Sequence, residues 1–285
     1  MSVLLAYPHE HIEGRPVGDF ITAVWDLGAD WPRERQGPDP CDVQAAAGFM
    51  AVQLPEWCLA LSEEAVLAAA LANQARNAER GLGLVPAIAA TDRIVQRETL
   101  PRELSPRWRP LCDGVDGMPA KLVVKAGCST SGLGVEIVEH ASDIGRAVRL
   151  IQRRAVGCLA RLRQIREPHF LLEEYVEGFS FEVSGYSRDD VECVFRPLQQ
   201  RWTEDGRIAE YIPHERPPSG LVDAAIRAVR ALHLRWCGWC VELKGHPWRV
   251  IEVNARLGED AGSYARKVSP GGCPVRAMCE ALMGA

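Results

Sequence analysis

Apolar residues follow two rhythms along this chain, and each predicts a different element. Runs dense in Val, Ile, Leu and aromatic residues predict strands over Leu122–Lys125, Val135–Val138, Phe170–Val176 and Phe181–Tyr186. Apolar positions recurring every three to four residues predict helices over Ser62–Arg76, Ala141–Arg166 and Gly220–Arg235. Ser62 and Ser219 stand where a hydroxyl would cap the first and last of these, and Asp92 where a carboxylate would cap another helix. In the first third, the apolar runs Val3–Tyr7, Phe20–Trp25 and Phe49–Leu54 alternate with helical segments and predict a small α/β layer, with Val3–Tyr7 as a buried first strand. Pro32–Asp42, rich in Pro, Gly and charge, reads as a loop.

The most informative pattern lies near the C-terminus. Cys240-Val-Glu242-Leu243 and Val250-Ile-Glu252-Val-Asn254 flank Gly245-His246-Pro247, which predicts a β-hairpin. Side chains alternate along a strand, so Glu252 and Asn254 share a face that Glu242 reaches from the paired strand. Two carboxylates and a carboxamide oxygen on a rigid sheet form a hard-oxygen set suited to magnesium.

Upstream, the strand ending at Lys125 leads into Gly127-Cys-Ser129-Thr130-Ser131-Gly132-Leu-Gly134 and then a second strand. This is the arrangement of a lid over polyphosphate. The glycines permit close backbone approach, the three hydroxyls donate to phosphate, and Lys125 supplies charge. It is not a P-loop, because no Gly-Lys-Ser/Thr signature opens a helix. Leu171–Gly178 follows, an edge segment whose free backbone amides can pair with an adenine edge.

Composition narrows the classes. The chain has 285 residues, 47% hydrophobic and 25% charged, an ordinary globular make-up for one or two domains. A net charge of -5 carries no basic excess and argues against a nucleic-acid partner. No apolar stretch reaches spanning length and the N-terminus lacks a secretory pattern, so a cytoplasmic protein without a membrane partner is expected. The 10 cysteines are then expected to be reduced and mostly buried. Cys237 and Cys240 have redox-dithiol spacing, but a helical pattern precedes them and a strand follows, the reverse of the order that activates such a pair. No second Cys or His pair completes a zinc site. His9-Glu10-His11 is expected at the surface. Arg146, Arg149, Arg153, Arg154, Arg161, Arg163 and Arg166 are expected on a solvated helix face, with Ile144, Val148, Ile151 and Leu159 turned inward; recruitment of an acidic carrier peptide or a phosphorylated substrate is the alternative.

Taken in order, these segments resemble the ATP-grasp superfamily, specifically its carboxylate-amine and D-alanine–D-alanine-type ligases. The resemblance rests on Leu122-Val-Val-Lys125 with Ser131-Gly-Leu-Gly-Val135, on Leu172-Glu-Glu-Tyr-Val-Glu-Gly178, and on Val250-Ile-Glu-Val-Asn-Ala-Arg256. Ala90-Thr-Asp92-Arg93 adds a match where such ligases usually carry Asp-Lys. The resemblance implies an α/β (α+β) ATP-grasp fold. A shortened pre-ATP-grasp α/β domain would span residues 1–88 and the ATP-grasp domain 89–285, with a lid subdomain at about 120–176.

It also implies roles. Lys125 and Arg93 would contact ATP phosphates, and Glu173 with the backbone of Glu174, Tyr175 and Val176 would bind adenine. Glu242, Glu252 and Asn254 would hold magnesium, two ions in all, and Arg256 would face the γ-phosphate or the substrate carboxylate. Where these ligases often place a ribose-binding glutamate the chain has Ser180, leaving Glu182 or Glu177 for that role. Cys240 replaces an arginine found in D-alanine ligases, which leaves intermediate stabilisation to Arg256. The implied activity is ATP-dependent joining of a small carboxylate to an amine, both amino-acid-like, through an acyl phosphate, in an enzyme that is a homodimer by analogy. The alternatives are a kinase that stops after phosphoryl transfer, a catalytically silent nucleotide binder and, more distantly, a redox protein built on Cys237 and Cys240.

Overall fold

The computed structural model describes residues 2–8, 20–26, 33–37, 42–53, 57–128, 132–156, 163, 167–203, 208–258, 278 and 281–282. Its first sheet joins β1 (Ser2–Pro8), β2 (Phe20–Asp26), β3 (Arg33–Gly37) and β4 (Cys58–Ala60) in the order β3-β2-β1-β4. Only the β1–β4 pair is parallel. Two expectations change here. Arg33–Gly37 is a strand against β2 rather than loop, and Phe49 to Gln53 closes the helix α1 (Val43–Gln53) rather than forming a strand.

After β4, a 3-10 turn at Glu63–Ala65 leads into α2 (Val66–Ala75). Ser62 precedes the turn without capping it; its Oγ is buried and makes no hydrogen bond. Two short helices follow, α3 (Leu84–Thr91) and α4 (Arg93–Thr99). Asp92 caps α4 as expected, accepting from the Ile94 and Val95 amides.

A second sheet has the order β5-β8-β6-β7, formed by β5 (Trp108–Pro110), β6 (Leu122–Ala126), β7 (Val135–Val138) and β8 (Phe170–Glu174). The helix α5 (Ile144–Arg154) packs on it through Ile144, Ala147 and Ile151, and Arg146, Arg149, Arg153 and Arg154 are exposed, as the amphipathic pattern requires. These elements enclose a separate apolar cluster that includes Leu122, Val124, Val138 and Leu172.

The third sheet has six strands: β9 (Ser180–Arg188), β10 (Val191–Val194), β11 (Leu198–Trp202), β12 (Ile208–Pro213), β13 (Cys237–Lys244) and β14 (Arg249–Asn254). Their order is β12-β11-β9-β13-β14, with β10 on β9. One face meets α6 (Leu221–Ala231), whose buried Leu221, Ala224, Ala225, Ala228 and Val229 form a single helical stripe. Gly220, in the left-handed region, precedes α6, so Ser219 is not its cap. Trp239, Val241 and Leu243 on that face join a core shared with α1, α2 and α3. The opposite face of β9, β13 and β14 carries the polar residues of interest.

The β13–β14 turn lies against the β8–β9 connection. Gly178 and Gly245 have φ of 110° and 78°, and a Cβ on Gly178 would sit 3.1 Å from the Gly245 Cα. Glycine at both positions permits this approach, which lets the Gly245 amide donate to Phe179 O at 3.2 Å. The polar face is thereby anchored to the second sheet at one end.

Candidate active site

Strand register alone builds an acidic row. Glu242 lies opposite Glu252 on one side and opposite Glu182 on the other, so three carboxylates cross three adjacent strands on one face. One step along, Ser184, Cys240 and Asn254 form the next row. Burial pushes Glu242 up to about 8, with the charges of Glu252 and Glu182 adding to it and Lys125 and Arg256 opposing. Glu182 accepts from Ser184 Oγ at 2.9 Å, and a Cβ on Gly258 would overlap its carboxylate.

A cationic helix turn faces this row. Arg93 Nη2 lies 2.7 Å from Glu252 Oε1. Burial works against the Arg93 charge, yet Glu252 more than offsets it and holds the guanidinium above its usual pKa. Four residues on, and therefore on the same side of α4, Arg97 Nε lies 2.7 Å from Glu173 Oε1. The second Glu173 oxygen lies 2.7 Å from Lys125 Nζ. Both cations also donate to Ile251 O, Arg97 Nη2 at 2.6 Å and Lys125 Nζ at 3.1 Å. Burial would raise the Glu173 carboxyl, but Arg97 and Lys125 overcome it and hold the group at about 2. Lys125 is lowered, by burial first and by Arg97 and Arg93, against the pull of Glu173. This buried network ties α4, the β6–β8 pair and the β14 backbone together. Gln96 extends it by exchanging two hydrogen bonds with Val253.

Arg256 follows β14, buried, with Nη1 donating to Leu257 O at 2.8 Å and Nε 3.8 Å from Glu63 Oε2. Glu63 comes from the 3-10 turn before α2, so the first unit reaches the polar face at this point.

Arg93, Lys125, Glu173, Glu242 and Glu252 thus converge, with Asn254 and Arg256 adjoining. Ser129, Thr130 and Ser131 lie outside the described residues, as do His9-Glu10-His11, Leu159, Arg161 and Arg166; Gly132 is described and exposed, and Arg163 is exposed. The 174–176 segment departs from expectation. β8 is not an edge, because β5 pairs with it from the far side. The Glu174 amide donates to Arg107 O and the Tyr175 amide to Lys121 O, which leaves the Val176 amide untouched by either bond. Glu174 itself accepts from Arg107 Nε at 3.1 Å, and Glu177 is exposed.

Cys237 and Cys240 both lie within β13, three residues apart and so on opposite faces. Both are buried. Burial raises Cys237 to about 12, and burial with the neighbouring Glu182 raises Cys240 well above the usual thiol range. The pair has no shared face on which to form a dithiol.

The donor chemistry fits a hard divalent cation. No three His, Cys, Asp or Glu side chains among the described residues form a metal site by themselves. Magnesium, however, is commonly held by one or two carboxylates with phosphate oxygens and water completing its shell. Glu242 and Glu252, paired across the hairpin with the Asn254 amide one row on, match that requirement. A divalent charge there would favour the ionised form of Glu242, which burial and then its two carboxylate neighbours disfavour.

No protein-family model and no curated protein match the sequence. Solved structures do match. An L-amino acid ligase from Bacillus licheniformis superposes with a TM-score of 0.66 at 22% identity, covering 85% of this chain and 60% of its own. D-alanine–D-alanine ligase from Bacillus anthracis gives 0.59 at 16%, covering 80% and 79%. N5-carboxyaminoimidazole synthetase from Staphylococcus aureus, complexed with ADP, gives 0.60 at 12%, covering 81% and 61%. The chain therefore spans about three fifths of the length of the first and third of these. Mixed helices and largely antiparallel sheets in this arrangement give the chain an ATP-grasp fold.

Proposed function

We propose that this chain is an ATP- and magnesium-dependent ligase that joins a small carboxylate to an amine, both amino-acid-like, through an acyl phosphate. The observation that carries the reading is the meeting of the Glu242, Glu252 and Asn254 face with Arg93, Lys125 and Arg256. Acids for a metal and cations for phosphate then meet at one face, in a fold shared with two amino-acid ligases and an ADP-bound synthetase.

Adenine would sit against the Val176 backbone, with the polyphosphate running towards Arg93 and Lys125. The lid at 120–176, which has its own apolar core, would cover it. Glu242, Glu252 and Asn254 would hold magnesium, which when bound would supply charge neutralisation at the β- and γ-phosphate oxygens. In the first step a substrate carboxylate oxygen attacks the γ-phosphorus and the bond to ADP breaks. In the second, the amine nitrogen attacks the acyl carbon; the tetrahedral intermediate collapses with loss of phosphate, and the nitrogen gives up a proton. Both steps concentrate negative charge, so this chain's part is positioning and preorganised cations. Arg256, beside the acidic row, would stabilise the oxyanion.

An ADP-release screen of paired carboxylates and amines tests this. The ligase reading requires ADP only when both are present. ADP release that leaves a phosphorylated acceptor and no amide product would instead make the protein a kinase. A melting shift with Mg-ATP but no turnover across the screen would make it a silent binder.

A further inference from the structure

Where α4 meets the end of β6, hydrogen bonds between three segments close a ring. The Arg93 amide, at the start of α4, donates to Gly127 O at 2.7 Å, just past the strand that carries Lys125. The Gly127 amide in turn donates to His169 O at 2.9 Å, immediately before β8. The His169 side chain completes the circuit, with Nε2 3.0 Å from Asp92 Oδ1, the oxygen that caps α4. Asp92 is fully buried and its carboxylate can only accept, so the imidazole donates. On its other side, His169 Nδ1 lies 3.1 Å from Glu167 O, which holds the ring in this orientation.

The ring also explains the glycine beneath it. Gly127 does not lie in the left-handed region, so its backbone conformation is open to other residues. A Cβ at this position would nevertheless overlap the His169 imidazole. Glycine is required here because the side chain crosses over its Cα to reach Asp92. The same junction holds the Arg93 guanidinium, whose Nη1 donates to Ala126 O at 3.2 Å while Nη2 reaches Glu252. Arg97, Glu173 and Lys125 join the strand to α4 one turn further on. His169 is therefore the side-chain tie at the residue next to Arg93.

We propose that His169 is a positioning residue for the phosphate cations: by holding the Asp92 cap against the end of β6, it fixes Arg93 relative to Lys125. This rests on the ATP reading above. His169 touches no nucleotide in that reading and acts through Arg93. Its loss should therefore weaken the polyphosphate contacts and spare those of the nucleoside, whereas a role confined to folding would not distinguish the two.

The test is calorimetric titration of the full chain, in magnesium and below each variant's melting transition, with ATP and with adenosine. His169→Ala should bind ATP about tenfold more weakly, one charge-assisted hydrogen bond being at stake, and bind adenosine as the wild type does. His169→Gln, whose amide Nε2 can donate in place of the ring nitrogen, should recover most of the ATP affinity. Gly127→Ala should weaken ATP as His169→Ala does. In the His169→Ala background it should add nothing, because the ring that it displaces is already gone. Hydrogen exchange supplies a readout without ligand: the Arg93 and Gly127 amides should lose protection in His169→Ala and regain it in His169→Gln. Unchanged ATP affinity in His169→Ala, a loss shared equally by adenosine, or Gly127→Ala and His169→Ala losses that add in full would each overturn the assignment. Absence of any ATP binding by the wild type is a different failure, that of the nucleotide site, and the amide exchange then still reports whether His169 makes the tie.

Discussion

Replacing Glu173 by Gln should unbalance the most heavily charged part of the interior. Its two oxygens are each 2.7 Å from a cation, Arg97 and Lys125, and all three side chains are almost fully buried. A carboxyl held at about 2 rather than its usual 4.5 contributes on the order of 3 kcal/mol to folding at neutral pH. Removing one partner of a buried pair generally costs about 3–5 kcal/mol, because the other charge is stranded, and here two are stranded. The two routes agree on about 3 kcal/mol or more, which corresponds to a melting drop of at least 6 °C at about 2 °C per kcal/mol. The sign with pH follows from the folded value lying below the unfolded one. The stabilisation is complete above the ordinary carboxylate range and disappears as pH falls through it towards 2. Urea unfolding of wild type and Glu173→Gln at pH 7 and pH 3 should therefore show a stability gap of about 3 kcal/mol that falls to about half or less. A gap under 1 kcal/mol at pH 7, or one that widens at pH 3, would refute the reasoning.

Other outcomes follow from the same geometry. Gln96→Leu strands the Val253 amide and carbonyl and should cost about 2–4 kcal/mol in urea unfolding, with β14 the first strand to lose hydrogen-exchange protection. In the native protein Cys237 and Cys240 should resist a thiol reagent while exposed Cys112 reacts, and turnover should be indifferent to reductant; fast labelling of either strand cysteine would contradict their burial. Arg256→Met should lower kcat about a hundredfold or more, as loss of a preorganised charge does, measured at a temperature below the variant's melting transition. Once a substrate carboxylate is known, labelling it with oxygen-18 should place one label in the released phosphate per turnover. Unlabelled phosphate would exclude the acyl phosphate.

The site was legible wherever chemistry and strand alternation coincide. Val250 to Asn254 announces a strand, and its even positions place Glu252 and Asn254 together, so the Glu242–Glu252 pairing follows once the Gly245 turn is recognised. Asp92 as a cap was legible for the same reason, since the residue and its role are local. Contacts made across the fold were not. Arg97 is four residues beyond Arg93, a spacing that puts it on the same helix face, but nothing nearby in sequence marks Glu173 as its partner. β5 is three residues long and includes a proline, too little pattern to predict, yet it converts β8 from an edge into an interior strand, and Arg107 just before it takes up the Glu174 amide. Phe49 to Val52 is continuously apolar, which suits a buried strand or helix equally; only the length of α1 decides it. Ser62 failed as a cap because a 3-10 turn intervenes before α2.

The central claim is that the acidic hairpin is the metal end of an ATP cleft. Its most direct test is calorimetric titration of ATP into the wild type and into Glu252→Gln, each with and without magnesium. The account predicts that the wild type binds ATP far more tightly with magnesium than without, and that Glu252→Gln, assayed below its melting transition, loses most of that gain. Tight wild-type binding that ignores magnesium, or a magnesium gain untouched by Glu252→Gln, would contradict it.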